Sequence, residues 1–242
     1  MLLEICANSF ESAFAAQEAG ADRIELCTEL SVGGLTPSFG LLEKVLVELT
    51  IPIHVLIRPR SGNFTYTEAE LDIMLRDIET CKELGCDGIV SGALTSELEI
   101  DLEVTKLLNE TSGSMEFTFH RAFDWVKNPE QALEQLIALD IPRLLSSGQK
   151  SSALEGILLL KALQNKANGH IQVMPGGGIN VNNCLQFKQA GFYMIHCSAT
   201  DKVQTLTKIP NVSMHSASFF EEGIVATTSE KTIREIKALL TQ

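Results

Sequence analysis

Short runs of apolar and β-branched residues alternate along the whole chain with longer stretches in which apolar positions return every three or four residues. The short runs predict strands at Leu2–Cys6, Arg23–Cys27, Ile53–Arg58, Gly88–Ser91, Glu116–His120, Arg143–Ser146, Ile171–Pro175 and Met194–Cys197. The longer stretches predict helices near Ser9–Ala19, Pro37–Leu49, Glu68–Leu84, Asp101–Asn109, Pro129–Leu139, Ala153–Asn165, Val181–Ala190 and Ser229–Leu240. Thr36-Pro37 and Asn128-Pro129 each set a capping residue before a proline suited to the first helical position, and Thr67 precedes Glu68 and Glu70. Strand–helix alternation of this kind predicts a parallel sheet with crossover helices. Eight such units in 242 residues predict an α/β fold, a (β/α)8 TIM barrel forming a single domain over residues 1–242.

A weak internal repeat supports the count. Gly20-Ala-Asp-Arg-Ile-Glu-Leu ends one helix and opens the next strand, and Gly85-Cys-Asp-Gly-Ile-Val-Ser does the same. Asp140-Ile-Pro-Arg-Leu-Leu-Ser and Gly191-Phe-Tyr-Met-Ile-His resemble them, so the repeat precedes strands two, four, six and eight. Glycine there suits the left-handed residue that stops a helix before the chain reverses. An open doubly wound sheet would show a glycine-rich turn after strand one, where this chain has Ala7-Asn8-Ser9. The long connection of residues 198–228 is expected to act as a lid or an oligomer contact, with Phe219 and Phe220 packed somewhere.

The net charge of -12 opposes non-specific binding to nucleic acid or anionic lipid. No apolar run approaches the roughly 18–20 residues of a membrane span. The opening Met-Leu-Leu-Glu-Ile-Cys lacks a basic leader, so a cytoplasmic location is expected. There the six cysteines, Cys6, Cys27, Cys81, Cys86, Cys184 and Cys197, stay reduced, and their scatter argues against a zinc finger.

Residues two apart on a strand share a face. The faces Leu3/Ile5 and Ile24/Leu26 suit the helix layer, so Glu4, Cys6, Arg23, Glu25 and Cys27 should point into the barrel. The same alternation turns His54, Arg58, Arg60, Thr118, His120, His196 and Ser198 inward. Glu4 and Arg23 lie low in their strands and predict a paired, buried layer, since isolated buried charges are costly. Cys6, Cys27, Arg58, His120 and His196 lie near strand C-termini, where barrels place their chemistry; Glu25 falls between the two groups. Gly176, Gly177 and Gly178 follow strand seven, where accessible backbone N–H groups often hold an anion, and Ser146-Ser147-Gly148 could add donors. Ser31-Val-Gly-Gly-Leu-Thr-Pro is a further glycine-bearing loop. In His120-Arg121-Ala-Phe-Asp124, His120 suits proton transfer and Asp124 the orienting of a basic partner. Arg58 and Arg60 suit an anionic group. His196, Arg121 and Ser147 complete the candidate pocket.

These residues carry a family resemblance. Glu4-Ile-Cys6, Gly20-Ala-Asp-Arg-Ile-Glu-Leu-Cys27, Gly33-Gly-Leu-Thr-Pro-Ser38, Ile57-Arg-Pro-Arg60, Thr118-Phe-His-Arg-Ala-Phe-Asp124, Ser146-Ser-Gly148, Gly176-Gly-Gly-Ile179 and His196-Cys-Ser198 occur in the order seen in CutC-type proteins, long labelled copper homeostasis proteins. The chain resembles that family from residue 1 to about 200. The resemblance implies a TIM barrel, a cytoplasmic place, homo-oligomers and Cu(I) binding by Cys6 and Cys27, thiolates being soft ligands that favour Cu(I). The residues leave an alternative open: an enzyme on a small phosphorylated or carboxylated metabolite, gripped by Arg58, Arg60 and Gly176–Gly178, with His120 or Glu25 moving protons.

Overall fold

The computed structural model of the protein describes residues 1–208, 212 and 224–241. The predicted strands form at β1 (Leu2–Ala7), β2 (Arg23–Leu26), β3 (Ile53–Leu56), β4 (Gly88–Ser91), β5 (Glu116–Phe119), β6 (Arg143–Ser146), β7 (Gln172–Pro175) and β8 (Met194–Cys197). Between and after them run α1 (Phe10–Glu18), α2 (Phe39–Glu48), α3 (Glu68–Leu84), α4 (Leu102–Ser112), α5 (Pro129–Ala138), α6 (Ile157–Ala167), α7 (Cys184–Gln189) and α8 (Glu230–Thr241). All eight strands pair in parallel, in the order β7-β6-β5-β4-β3-β2-β1-β8. A single parallel bridge, Gly176 to His196, brings β7 against β8 and nearly closes the barrel.

The outward strand faces, among them Leu3, Ile5, Ile24, Leu26, Val55, Ile89 and Leu144, are buried under the helices in one continuous core. The repeat has a backbone cause. Gly20, Gly85, Asp140 and Gly191 take φ of +88°, +80°, +53° and +86°, the left-handed turn that carries a helix into the next strand. Asp22 and Asp87, two residues after the first two of these, accept hydrogen bonds from Leu3 N and Ile53 N, both at 2.8 Å, which ties β2 to β1 and β4 to β3.

Thr67 caps α3 in a reciprocal box with Glu70, and Asn128 caps α5 with Pro129 in its first turn, as expected. Thr36 does not cap α2. Its hydroxyl instead accepts from Arg58 N at 2.9 Å, so the chain stays extended through Pro37 and Ser38 provides the cap. The sixth and seventh helices begin three to four residues later than predicted, because Ser152–Gly156 and Asn180–Asn183 are spent on turns.

The connection after β8 contains β9 (Thr200–Gln204) and β10 (Ile224–Thr228), an antiparallel ribbon. It lies beside α1, where Thr228 N donates to Ser12 Oγ at 3.2 Å and Asn8 Nδ2 to Ala226 O at 3.4 Å. Phe219 and Phe220 lie outside the described residues. Among the described residues no helix is long and apolar enough to cross a membrane.

Candidate functional site

Inside the barrel the side chains sort by height. Lowest is a charged network. Arg23 Nε donates to Glu4 Oε2 at 2.5 Å, and both side chains are almost completely buried. Arg143 donates to Glu116 at 2.5 Å and to Thr118 Oγ1 at 3.0 Å. His54 fills the space beside Gly88, where a Cβ would meet its ring at 2.7 Å. Glu4 and Arg23 thus form the paired layer expected of them. Arg143 and Glu116 were not singled out from sequence. The repeat held the signal, since Arg143 stands three residues after Asp140 as Arg23 stands three after Gly20. Burial alone would raise the Glu4 carboxyl; the hydrogen bond from His196 and the charge of Arg23 instead carry it well below the usual carboxylate range. Burial lowers the His54 imidazole to about 4, so it is neutral.

Leu145, Met174, Met194 and Leu2 pack together in one part of the interior, and Cys6, Cys27, Leu56 and Val90 in another. Over them, at the C-terminal ends of the strands, opens a cavity of about 780 Å³. This is the end at which barrel enzymes work.

One wall comes from β1, β2 and β8. Register sets Cys6 opposite Glu25 on the neighbouring strand and Glu4 opposite His196. Cys6 Sγ lies 3.4 Å from Glu25 Oε1 and 3.4 Å from Cys27 Sγ. Ligand atoms of Cys6, Glu25 and His196 all fall within 4.8 Å of one another, a grouping able to hold a metal ion. His196 Nδ1 contacts Glu4 Oε1 at 2.8 Å, so a carboxylate fixes the ring and leaves Nε2 for the cavity. Burial depresses the His196 imidazole, but the Glu25 and Glu4 carboxylates outweigh it and raise its pKa. Burial raises the Glu25 carboxyl despite His196. The Cys27 hydrogen bond, then burial, push the Cys6 thiol well up.

The opposite wall comes from β3 and β5 with their loops. Arg58 donates through Nη1 to Val32 O and Gly34 O at 2.7 and 3.0 Å, and through Nη2 to Gly62 O at 3.2 Å. It ties two loops together. His120 Nδ1 accepts from Ala122 N at 3.3 Å, and burial, aided by Arg58, lowers its pKa to about 3. Phe64 packs edge-on against both His120 and Trp125, with the Arg58 guanidinium 5.0 Å from its ring centre.

Several expected residues line the cavity: Cys6, Glu25, Arg58, His120, Arg121, Asp124, Gly177, Gly178, His196 and Ser198. Others do not. Arg60 leaves the barrel and is held by Glu70 at 2.5 Å and by the carbonyls of Ser61, Asn63 and Thr65, because strand β3 ends at Leu56 and alternation no longer governs residue 60. Gly176 lies in the closure, where a Cβ would stand 2.5 Å from Leu145 Cδ1. The Ser147 hydroxyl is engaged by Asp124, Lys150 O and Arg121. Asp124 orients a basic partner, Arg121; its carboxylate also accepts from Ser146 Oγ, Ser147 N and Gln149 N, which organises the loop after β6. Cys27 is fully buried behind Cys6. Phe64 and Trp125 were missed because an apolar loop residue carries no periodic signal.

The pattern that defines the CutC family matches residues 1–201. The chain belongs to the CutC family. A family protein CutC of Chromobacterium violaceum is 44% identical over 242 residues, covering 99% of this chain and 98% of that protein. A human protein named copper homeostasis protein cutC homolog is 43% identical over 241 residues, covering 98% and 88%. A solved CutC structure from Streptococcus agalactiae superposes with a TM-score of 0.77 at 36% identity, over 82% of this chain and 98% of that one. An aldolase designated QR15, 14% identical with a TM-score of 0.62 over 81% and 89%, shares the barrel fold.

Proposed function

We propose that this CutC chain serves copper homeostasis by holding Cu(I) at Cys6, with Cys27, Glu25 and His196 as the surrounding donors. The observation that carries the reading is the convergence of a thiol, a carboxyl and an imidazole within 4.8 Å, with a second thiol 3.4 Å behind the first. Thiolate and imidazole are donors that suit Cu(I). The raised Cys6 thiol is protonated at neutral pH, so binding must release its proton, and Glu25 Oε1 stands 3.4 Å away to take it. The Glu4–His196 contact orients the imidazole before the ion arrives. A reducing cytoplasm keeps both thiols available, and the family resemblance adds a homo-oligomeric state, which light scattering checks.

The test is anaerobic competition for Cu(I) against a strong chelator, with wild type, Cys6→Ser, Cys27→Ser and His196→Gln. Loss of a ligand or its orienting partner is expected to weaken binding by about tenfold or more. Equal affinity in wild type and Cys6→Ser overturns the reading.

A further inference from the structure

A bound ion occupies a small part of a cavity of about 780 Å³, which is a volume typical of sites for small organic ligands. The copper reading uses one wall and leaves the other without a task. That second wall has three properties that together name a ligand chemistry.

First, it holds a buried cation with no counter-ion. Arg58 is 5% exposed, and its described partners are three backbone carbonyls; among the described residues no carboxylate pairs with it. An isolated buried charge is costly unless something of opposite sign approaches it. Second, hydrogen-bond satisfaction fails here. Among the described residues eight buried side-chain polar atoms lack a partner, and two of them, Arg58 Nε and His120 Nε2, belong to residues on this wall of the cavity. Such atoms call for an explanation, and an absent ligand is one. The tautomer at His120 is set by its backbone contact. Nδ1 accepts from Ala122 N, so the neutral ring carries its proton on Nε2, a donor fixed in place and without an acceptor. Third, the rest of the wall is apolar and aromatic, with Phe64 and Trp125 stacked edge to face beside Leu30 and Ile179.

We propose that the cavity binds a small organic carboxylate, its anionic end set against Arg58 and His120 Nε2–H and its apolar body against Phe64 and Trp125. One uncompensated positive charge and one neutral donor match a monoanion. A phosphate monoester carries about -1.5 to -2 near neutral pH and would leave charge unmatched. Arg121 does not change the balance, because Asp124 pairs with it at 2.8 Å. The inference goes beyond the copper reading and does not depend on it.

Trp125 is the only tryptophan of the chain and lines the cavity, so its emission reports occupancy without a label. Chelator-treated protein is titrated to millimolar concentrations with benzoate and hexanoate, with benzamide as the neutral counterpart of benzoate and phenyl phosphate as the dianionic one. At least one carboxylate is expected to change the emission saturably, with benzamide and phenyl phosphate about tenfold or more weaker. Arg58→Gln is expected to weaken the carboxylate by a similar factor. Because Arg58 also ties two loops, His120→Phe, which keeps an aromatic ring and removes the donor, is the second variant, with the same direction expected. Arg60→Met, whose side chain lies outside the cavity against Glu70, is expected to bind the carboxylate as wild type does. The proposal is overturned by no saturable change with either carboxylate, by benzamide or phenyl phosphate binding as tightly as benzoate, or by wild-type binding in both Arg58→Gln and His120→Phe.

Discussion

Replacing Arg23 by Met tests the charged layer on which the cavity rests. Methionine nearly fills the arginine's volume and has an apolar neighbour in Met174, which already lies 3.7 Å from Arg23 Nη2, so little of the effect comes from an emptied space. What remains is Glu4, fully buried, with one of its two charged contacts gone. Removing one partner of a buried ion pair costs about 3–5 kcal/mol. His196 still contacts the other Glu4 oxygen at 2.8 Å, which places the expected loss near the lower end, about 3 kcal/mol. For a chain of this size that is a fall of about 6–12 °C in Tm. The sign with pH follows from Glu4. Its folded pKa is depressed, so its pairing stabilises above the ordinary value of 4.5 and is lost as pH falls through the folded value. Without Arg23 the carboxyl rises toward the ordinary value, so the deficit measured by thermal denaturation should hold from pH 7 to 5 and shrink only as the pH falls below about 4.5. Glu4→Gln added to Arg23→Met should recover part of the loss, since the stranded charge is gone. A Tm within about 3 °C of wild type at pH 7, or a double variant no better than the single one, refutes the reasoning.

Gly34 has φ +87°, and a Cβ there would stand 2.6 Å from Leu56 Cδ2; Gly34→Ala is expected to cost about 2–4 kcal/mol in urea denaturation, while Gly40→Ala, inside α2 with nothing within 4 Å, is expected to stabilise by up to about 1 kcal/mol. Between pH 6 and 5 the unfolded chain completes protonation of His54 and His120 while the fold keeps both neutral, and Glu25 and His196, shifted the other way, return little more than one proton; stability should therefore fall by at least about 1 kcal/mol over that unit, and His120→Phe should flatten that fall. Arg60→Met breaks a partly exposed pair, so it should cost under about 1 kcal/mol and leave both copper and benzoate affinities unchanged; a tenfold loss of either returns Arg60 to the site.

The barrel was legible because strand and helix leave different periods in the sequence and because the turn before each even strand repeats. The inward set was legible wherever the strand was regular: Glu4, Cys6, Glu25, His54, Thr118, His120 and His196 all lie where two-residue alternation puts them. It misled at Arg60, where the strand had already ended and the next loop, with Glu70 on α3, decided the side chain's direction. Gly176 and Ser147 failed for another reason. Their residue types fit an anion site, yet the closure of β7 on β8 and the Asp124 hub had already claimed them, and such third-party contacts leave no trace in spacing. Asp124 finds its basic partner in Arg121, three residues back on a 3₁₀ turn.

Glu4 joins the fold to the site. One of its oxygens holds Arg23 in the lower layer and the other holds His196 at the cavity, so a single carboxylate serves both the stability of the barrel and the aim of a candidate ligand. The two demands agree in sign. Arg23 keeps Glu4 ionised, and an ionised Glu4 raises the His196 pKa while fixing Nδ1 as the donor. Loss of Arg23 therefore does more than weaken the fold. A Glu4 that protonates more readily holds His196 less firmly, so the Cu(I) affinity of Arg23→Met should decline as pH falls from 5 to 4 more steeply than that of wild type, even at temperatures where the variant is fully folded. Parallel pH profiles for the two proteins would mean that the layer below stabilises the barrel without orienting the site above it.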